Sequence, residues 1–517
     1  MAFGERLGLR SGPPQMAARS AAGSGWQALL PSWSLVVALL ALAMTTTHPL
    51  GVLGDPDTYM HIAAGRWMLL HHALPSHDPF SYTMAGAPWV VHEWLSEIVL
   101  AAVYKIGGWS GVVLLTGACF AASLALLMRF LLRCAEPFSA LIASLLAGEL
   151  ALGHLLARPH MLALPLLVLW CGVLFQSRDD GAAPPLLLLP VMVLWANLHA
   201  SFMFGLALAG FFGGEAVLSP APGTSRIGEA RRWGLFFLLA TLAALCTPNG
   251  AAGLIEPFRL AAMPALHQII EWHSPDFQHF LILEIWLLGF AGLGFLTGIK
   301  LPLLRLLLVL ALCHMTLQHV RYATLLGFVG PLALAASLGA EIAARMRAVP
   351  FSAVGRGIMQ LARPSPAPAM ALGLVVVLVL SLPLLLSPVH RPNGPVTPKK
   401  ALAVAAQKGL LTKPVFNNYA FGGYLIFRGV PTFIDGRAEL YGNVFLSRYF
   451  KIPRGRRQFA GLLDRFHVAW TLLSPREGAA LLLDGMPGWR RIYSDRYAVV
   501  DVRVGTAPPT PNIAKKF

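Results

Sequence analysis

The sequence predicts a multi-pass α-helical membrane protein of about eleven spans, followed by a small C-terminal α/β extracytoplasmic domain. Three observations predict it. Of 517 residues 56% are apolar and 12% charged, with a mean hydropathy of +0.63, too apolar for a soluble chain of this size. Apolar runs recur from residue 34 to residue 388. From His390 onward the pattern turns to short β-rich runs alternating with helical stretches.

Residues 1–33 form a basic tail with Arg6, Arg10 and Arg19. No compact apolar core with a small-residue cleavage site precedes the run Ser34–Leu53, which therefore reads as a retained signal-anchor. Apolar runs then place spans near 34–53, 109–132, 138–157, 161–176, 184–198, 200–218, 233–248, 280–298, 302–318, 322–340 and 369–388. Several fall short of the roughly 20 residues that cross a bilayer core and must tilt, extend or break. The five cysteines all sit in or beside these runs and imply neither a disulfide framework nor a thiolate metal site.

Cations set the orientation. Fifteen Lys and Arg fall on the N-terminal side of this map, among them Arg129, Arg133, Arg178, Lys300, Arg305 and Arg347, and five on the other: Arg66, Lys105, Arg158, Arg259 and Arg321. That split puts the N-terminus in the cytoplasm, and the 54–108 loop and the 390–517 domain on the outer face, periplasmic in a bacterial inner membrane. Eight acids fall on outer connections, so chemistry is expected there, and the inner connections read as plain topology signals. Residues 34–389 then form the transmembrane domain.

In the C-terminal segment, T-P-K-K-A-L-A-V-A-A-Q-K predicts a helix. P-V-F-N-N, G-Y-L-I-F-R, P-T-F-I-D and V-A-W-T-L-L-S predict strands, with helices near 438–451 and 475–485 and a closing hairpin around Ser494-Asp495. This segment holds twenty Lys and Arg against seven acids, a balance of +13 out of +16. The excess fits either attraction to anionic lipid, lipid phosphate or acidic glycan, or plain solubility charge. No nucleic-acid partner is expected.

The chemical residues concentrate between Asp55 and Glu97. Asp57 and His61 stand four apart in a helical pattern and share one face, with Asp55-Pro56 at its start. An N-capping acid on an amphipathic interfacial helix is the plain alternative. Two acids and a histidine, followed by Asp78, His92 and Glu93 before the next span, favour a catalytic or metal-linked role for Asp57. Asp78-Pro79 also fits a turn, and His92-Glu93 a helix start.

Polar residues recur at the outer ends of spans: Arg158 and His160, His199, Glu271 and His273, and Arg321. Their repetition on one side implies a shared polar cavity, with Arg158 and Arg321 as ligands for a lipid phosphate or as partners of the loop acids. In the tail, Asp435 and Arg437 follow a strand end where loops carry ligands, and Gly422-Gly423 reads as fold punctuation.

Taken together, D-x-D-T-Y-x-H-I-A-x-G-R-W, D-P-F-S-Y-T, W-x-x-H-E-W-L, G-G-Y-L-I and F-I-D-G-R-A-E-L-Y resemble motifs of bacterial membrane proteins in the C-type glycosyltransferase superfamily, which includes protein mannosyltransferases and lipid A aminoarabinose transferases. The resemblance implies a polyprenyl-phosphate-linked sugar donor and a first-loop carboxylate that activates the acceptor. That base falls to Asp57 first and Asp55 second. Substrate contacts are expected from His61, Asp78, His92, Glu93, Arg158, His160, His199, Glu271, His273, Arg321, Asp435 and Arg437. No cofactor is implied with certainty, and a divalent metal, Mg or Mn, is left open because D-P-D is too short to specify one. The rival class is a non-enzymatic carrier or assembly protein for a lipid-linked envelope glycan.

Overall fold

The structure, a computed structural model, describes residues 29–279, 281–298, 300–346, 353–451 and 455–505. Most of the expected cytoplasmic tail, with Arg6, Arg10 and Arg19, lies outside the described residues, as do Arg347, Arg454, Lys515 and Lys516. The chain divides into two compact units. One comprises the described parts of Met1–Val52, Val112–Gly250 and Ile269–Pro388, the other those of Leu53–Gly111, Ala251–Gln268 and Val389–Phe517. In this division residues 53–111 and 251–268 group with the C-terminal segment, whereas the sequence reading keeps the first loop with the transmembrane domain.

The first unit is helical. Each expected apolar run carries a helix, beginning with Trp33–Thr47 and ending with Ala367–Leu386. Local chemistry sets the helix starts. Ser32 accepts from the Leu35 amide at 3.3 Å and Ser225 from that of Gly228 at 3.0 Å, while Pro137 and Pro159 occupy first-turn positions where no amide is needed. Among the described residues four helices are long and apolar enough to cross a membrane: Trp94–Leu131, Pro159–Asp179, Val320–Glu341 and Ala367–Leu386. Others, such as Leu303–Gln318, have 16 residues, about 24 Å of rise against a core of about 30 Å.

The core of this unit is aromatic. Trp170, Trp195, Trp233, Phe212 and Phe236 are fully buried. Trp170 stacks at 5.5 Å on Phe236, and its indole N–H donates to the Gly205 carbonyl at 2.9 Å. Two cations read from sequence as topology signals are held by acids. Arg305, 4% exposed, pairs with Asp179 and lies 3.7 Å from Glu215, and Arg178 lies 3.5 Å from Glu215.

The second unit is built on a four-stranded sheet of β1 (Val415–Asn417), β2 (Trp470–Leu473), β3 (Trp489–Ser494) and β4 (Val499–Arg503), in the order β1-β2-β4-β3. β1 pairs parallel to β2, and the remaining pairs are antiparallel, including the expected β3–β4 hairpin. Helices Lys399–Gln407, Ala438–Lys451 and Gly478–Leu483 occupy the expected places. The expected G-Y-L-I-F-R strand is instead the helix Gly422–Phe427, and P-T-F-I-D makes a single bridge, Ser81 to Thr432. A six-residue apolar run buried on most sides has no period that tells strand from helix.

The first loop completes this unit. The helix Asp57–His71 is buried from Thr58 to Gly65 and again at Met68, so it is a core helix rather than an amphipathic interfacial one. Its neighbour Trp94–Leu131 breaks at Gly108, where φ is 56°. Downstream, the Tyr82 amide donates to the Thr432 carbonyl at 3.1 Å, the Thr432 amide to Phe80 at 3.2 Å, and the Thr83 hydroxyl to Phe433 at 2.6 Å. Unpaired polar backbone of the loop and the tail is thereby mutually satisfied.

Candidate active site

The D-P-D turn opens the buried loop helix. Asp55 is 8% exposed, and its Oδ1 accepts from the Asp57 amide at 2.7 Å, so this carboxylate starts the helix as the capping alternative proposes. Arg391 covers the turn. It donates to the Asp55 carbonyl at 3.1 Å, and its guanidinium lies 3.8 Å from the centre of the Tyr59 ring, while the Tyr59 hydroxyl meets that of Thr397 at 2.9 Å. Asp57, half-buried, directs its carboxylate at the backbone of Gly436 in the D-G-R turn.

One turn along, His61 joins a carboxylate cluster. Its Nδ1 lies 3.2 Å from Glu97 Oε1 and its Nε2 3.9 Å from Glu93 Oε2, while His92 Nε2 lies 3.9 Å from Glu93 Oε1. Gly65 lets the two helices close, since a Cβ there would lie 1.9 Å from the Glu97 carbonyl oxygen. Burial works against protonation of His92, and the carboxylates of Glu93, Glu439 and Glu97 outweigh it, raising its pKa. Glu439 also accepts from the Trp89 indole at 3.1 Å.

Asp78, Asp435 and Arg437 meet in the interior of the same unit. Arg437, 1% exposed, donates to Asp78 Oδ1 at 2.6 Å and to both Asp435 oxygens at 2.8 Å. Asp78 also accepts from the Phe80 and Ser81 amides, and Asp435 from Thr432 and, at 2.7 Å, from Tyr441. Burial alone would raise the Asp435 pKa, and the Arg437 guanidinium with these donors overcomes it and holds the carboxyl below its ordinary range. These three residues are placed as a satisfied buried network tying loop to tail.

The remaining candidates gather in the helical unit. Arg158 pairs with Glu271 at 3.1 Å, both about a quarter exposed, and Arg321 stacks on Trp272 at 4.3 Å. His319 Nδ1 lies 2.7 Å from the Trp272 carbonyl, whose neighbour His273 is exposed. His160 and His199 face each other with ring centres 6.1 Å apart, and His160 Nε2 lies 2.8 Å from the His154 carbonyl. Burial pushes the Glu271 carboxyl up, and Arg158 and Arg321 pull it down to about 2. The sequence brings these groups to common helix ends, and the structure joins Arg158, Glu271, Trp272 and Arg321 into one cationic patch.

Among the described residues no three His, Cys, Asp or Glu side chains could hold a metal ion, and Asp55 and His61 are turned to the helix start and to Glu97 and Glu93. Three residues of the site went unselected in the sequence: Glu97, counted only among the loop acids; Arg391, at the entry to the tail; and Gly436.

No protein-family profile matches the chain, and no curated protein matches it. Solved structures do. The chain is similar to ArnT from Cupriavidus metallidurans bound to undecaprenyl phosphate, at 15% identity and a TM-score of 0.50 over 95% of this chain and 100% of that one. It is also similar to the archaeal oligosaccharyltransferase AglB from Archaeoglobus fulgidus in complex with an inhibitory peptide and a dolichol-phosphate, at 13% identity and a TM-score of 0.52 over 92% of this chain and 75% of that one. Both are polytopic C-type glycosyltransferases. The chain has their fold. At these identities the likeness is one of architecture, and roles for individual residues rest on the geometry above.

Proposed function

We propose that the protein is a membrane glycosyltransferase that moves a sugar from a polyprenyl-phosphate-type donor to an acceptor on the periplasmic face of a bacterial inner membrane. The observation that supports this most is the likeness of fold over nearly the whole chain to two glycosyltransferases, one bound to undecaprenyl phosphate and the other to dolichol-phosphate. The reading carries with it about eleven spans, a cytoplasmic N-terminus, an outward C-terminal segment and contact of that segment's cations with anionic lipid.

The chemistry assigned is an inverting displacement. Asp57 takes the proton of the acceptor hydroxyl, the oxygen forms its bond to the anomeric carbon, and the carbon–oxygen bond to phosphate breaks with its electron pair leaving on the phosphate. Asp57 is the first residue of the loop helix, half-buried with its carboxylate against Gly436, and it is the first-loop acid that the resemblance assigns as base. Within the helical unit, the patch of Arg158 and Arg321 suits a lipid phosphate, for which the guanidinium fork is matched. No step is routed through a metal.

The experiment is transfer by purified variants from a panel of undecaprenyl-phosphate sugars, with membrane abundance checked. Asp57→Asn should lower transfer by roughly 10²-fold or more while donor binding persists. Asp55→Asn should cost about 1 kcal/mol or less of local stability and little rate. Full transfer by Asp57→Asn at normal abundance refutes the base assignment; dispensability of every acid in the 55–97 loop favours the carrier.

A further inference from the structure

We infer that the C-terminal segment positions the Asp57 carboxylate, and that Gly436 is the residue that does so. The inference rests on the reading of Asp57 as base and adds what holds it. The motif G-G-Y-L-I, read from sequence as fold punctuation, and D-G-R, read as a strand end where loops carry ligands, converge on the D-P-D turn. A Cβ on Gly436 would lie 2.0 Å from Asp57 Oδ1 and 2.7 Å from its Cγ. One on Gly423 would lie 2.3 Å from the Pro56 carbonyl oxygen, and one on Gly422 2.4 Å from the Ile434 carbonyl oxygen and 2.6 Å from Asp435 Cα.

Conformation does not account for these glycines. The glycines with positive φ are elsewhere, and Gly422, at φ −56°, and Gly423 lie in the helix Gly422–Phe427, where glycine is a poor choice. What they supply is room for close approach. Gly422 seats its helix on the D-G-R turn, Gly423 seats the D-P-D turn on that helix, and Gly436 brings its backbone against the carboxylate.

The D-G-R turn is itself held on both sides. Asp435 and Arg437, on either side of Gly436, are fixed by the buried pairs to each other, to Asp78 and to Tyr441. A base carried on a turn this closely bounded has its oxygens placed before substrate arrives, which is the condition for efficient proton transfer. Gly436 is thus a positioning residue acting through Asp57, whereas Gly423 acts on the backbone that carries it.

The test uses the full-length chain in nanodiscs with Gly436→Ala, Gly423→Ala, Asp57→Ala and the two doubles with Asp57→Ala, read by thermal melting and by transfer from an undecaprenyl-phosphate sugar panel. Gly436→Ala should lower turnover by roughly 10²-fold with the donor KM unchanged. Its fall in melting temperature should vanish when Asp57 is alanine, because the added methyl then meets no carboxylate. Gly423→Ala should lower melting equally in both backgrounds, since its clash is with a backbone oxygen. If Gly436→Ala does not accumulate, recovery of abundance in the double carries the same meaning. Wild-type turnover in Gly436→Ala, or a melting loss that Asp57→Ala does not relieve, overturns the inference. Retained transfer in Asp57→Asn instead removes the base assignment beneath it, whatever the melting cycle gives.

Discussion

Replacing Arg437 with methionine removes the one cation that neutralises two carboxylates in the interior of the second unit. Asp78 and Asp435 have side chains 0% exposed, and each accepts from Arg437 at 2.6–2.8 Å. Breaking a buried pair by deleting one partner costs about 3–5 kcal/mol, because the remaining charge is left uncompensated. At about 1.4 kcal/mol per tenfold, that corresponds to roughly 10²- to 4 × 10³-fold faster exchange in the region. The assay is hydrogen exchange of the full-length protein in nanodiscs, followed at the Phe433 amide, which donates to Asn417 Oδ1 at 2.8 Å, and the Arg437 amide, which donates to Asp435. The penalty should shrink as pH falls, since carboxyls stripped of Arg437 have raised pKa values and become neutral on acidification. Adding Asp78→Asn and Asp435→Asn should recover most of the protection at neutral pH. Exchange faster by less than tenfold in Arg437→Met, or a penalty that does not vary with pH, would refute the view that this network ties loop to tail.

Two further predictions follow from charge. Glu271 is held at about 2 against an ordinary 4.5, so the folded chain releases this proton at lower pH than the unfolded one. The ionised carboxylate, held by Arg158 and Arg321 together, therefore contributes on the order of 3 kcal/mol, fully present above about pH 5 and lost as pH falls toward 2. The difference in exchange at residues 270–273 between the wild type and Glu271→Gln should narrow as pH drops from 6 to 3, and a constant difference counts against the pairing. The cation split predicts that reporter fusions after Ser225 and Thr397 report cytoplasm and periplasm respectively; a periplasmic signal at Ser225 would invert the proposed topology.

The helices were legible because a run of apolar residues leaves few alternatives once it exceeds the length of a strand. Trp33–Thr47 and Ala367–Leu386 fall where hydropathy alone puts them. The same logic failed at G-Y-L-I-F-R, whose six residues are short enough for a strand but fall largely in the helix Gly422–Phe427, with Gly422 packed on Ile434 and Asp435 and Gly423 on Pro56. Asp55 was readable as a cap because its partner, the Asp57 amide, is two residues distant. Arg437 and Asp78 are separated by 359 positions and Arg158 and Glu271 by 113. No local pattern distinguishes a carboxylate waiting for substrate from one already claimed by such a partner. The loop acids illustrate the consequence. Read one by one, Asp55, Asp57 and Asp78 are equivalent candidates; once partners are known, the first is held by a helix start and the third by an arginine. Asp57 has its own distant neighbour, the Gly436 backbone that bounds its carboxylate, and no local pattern in the sequence announces that contact either.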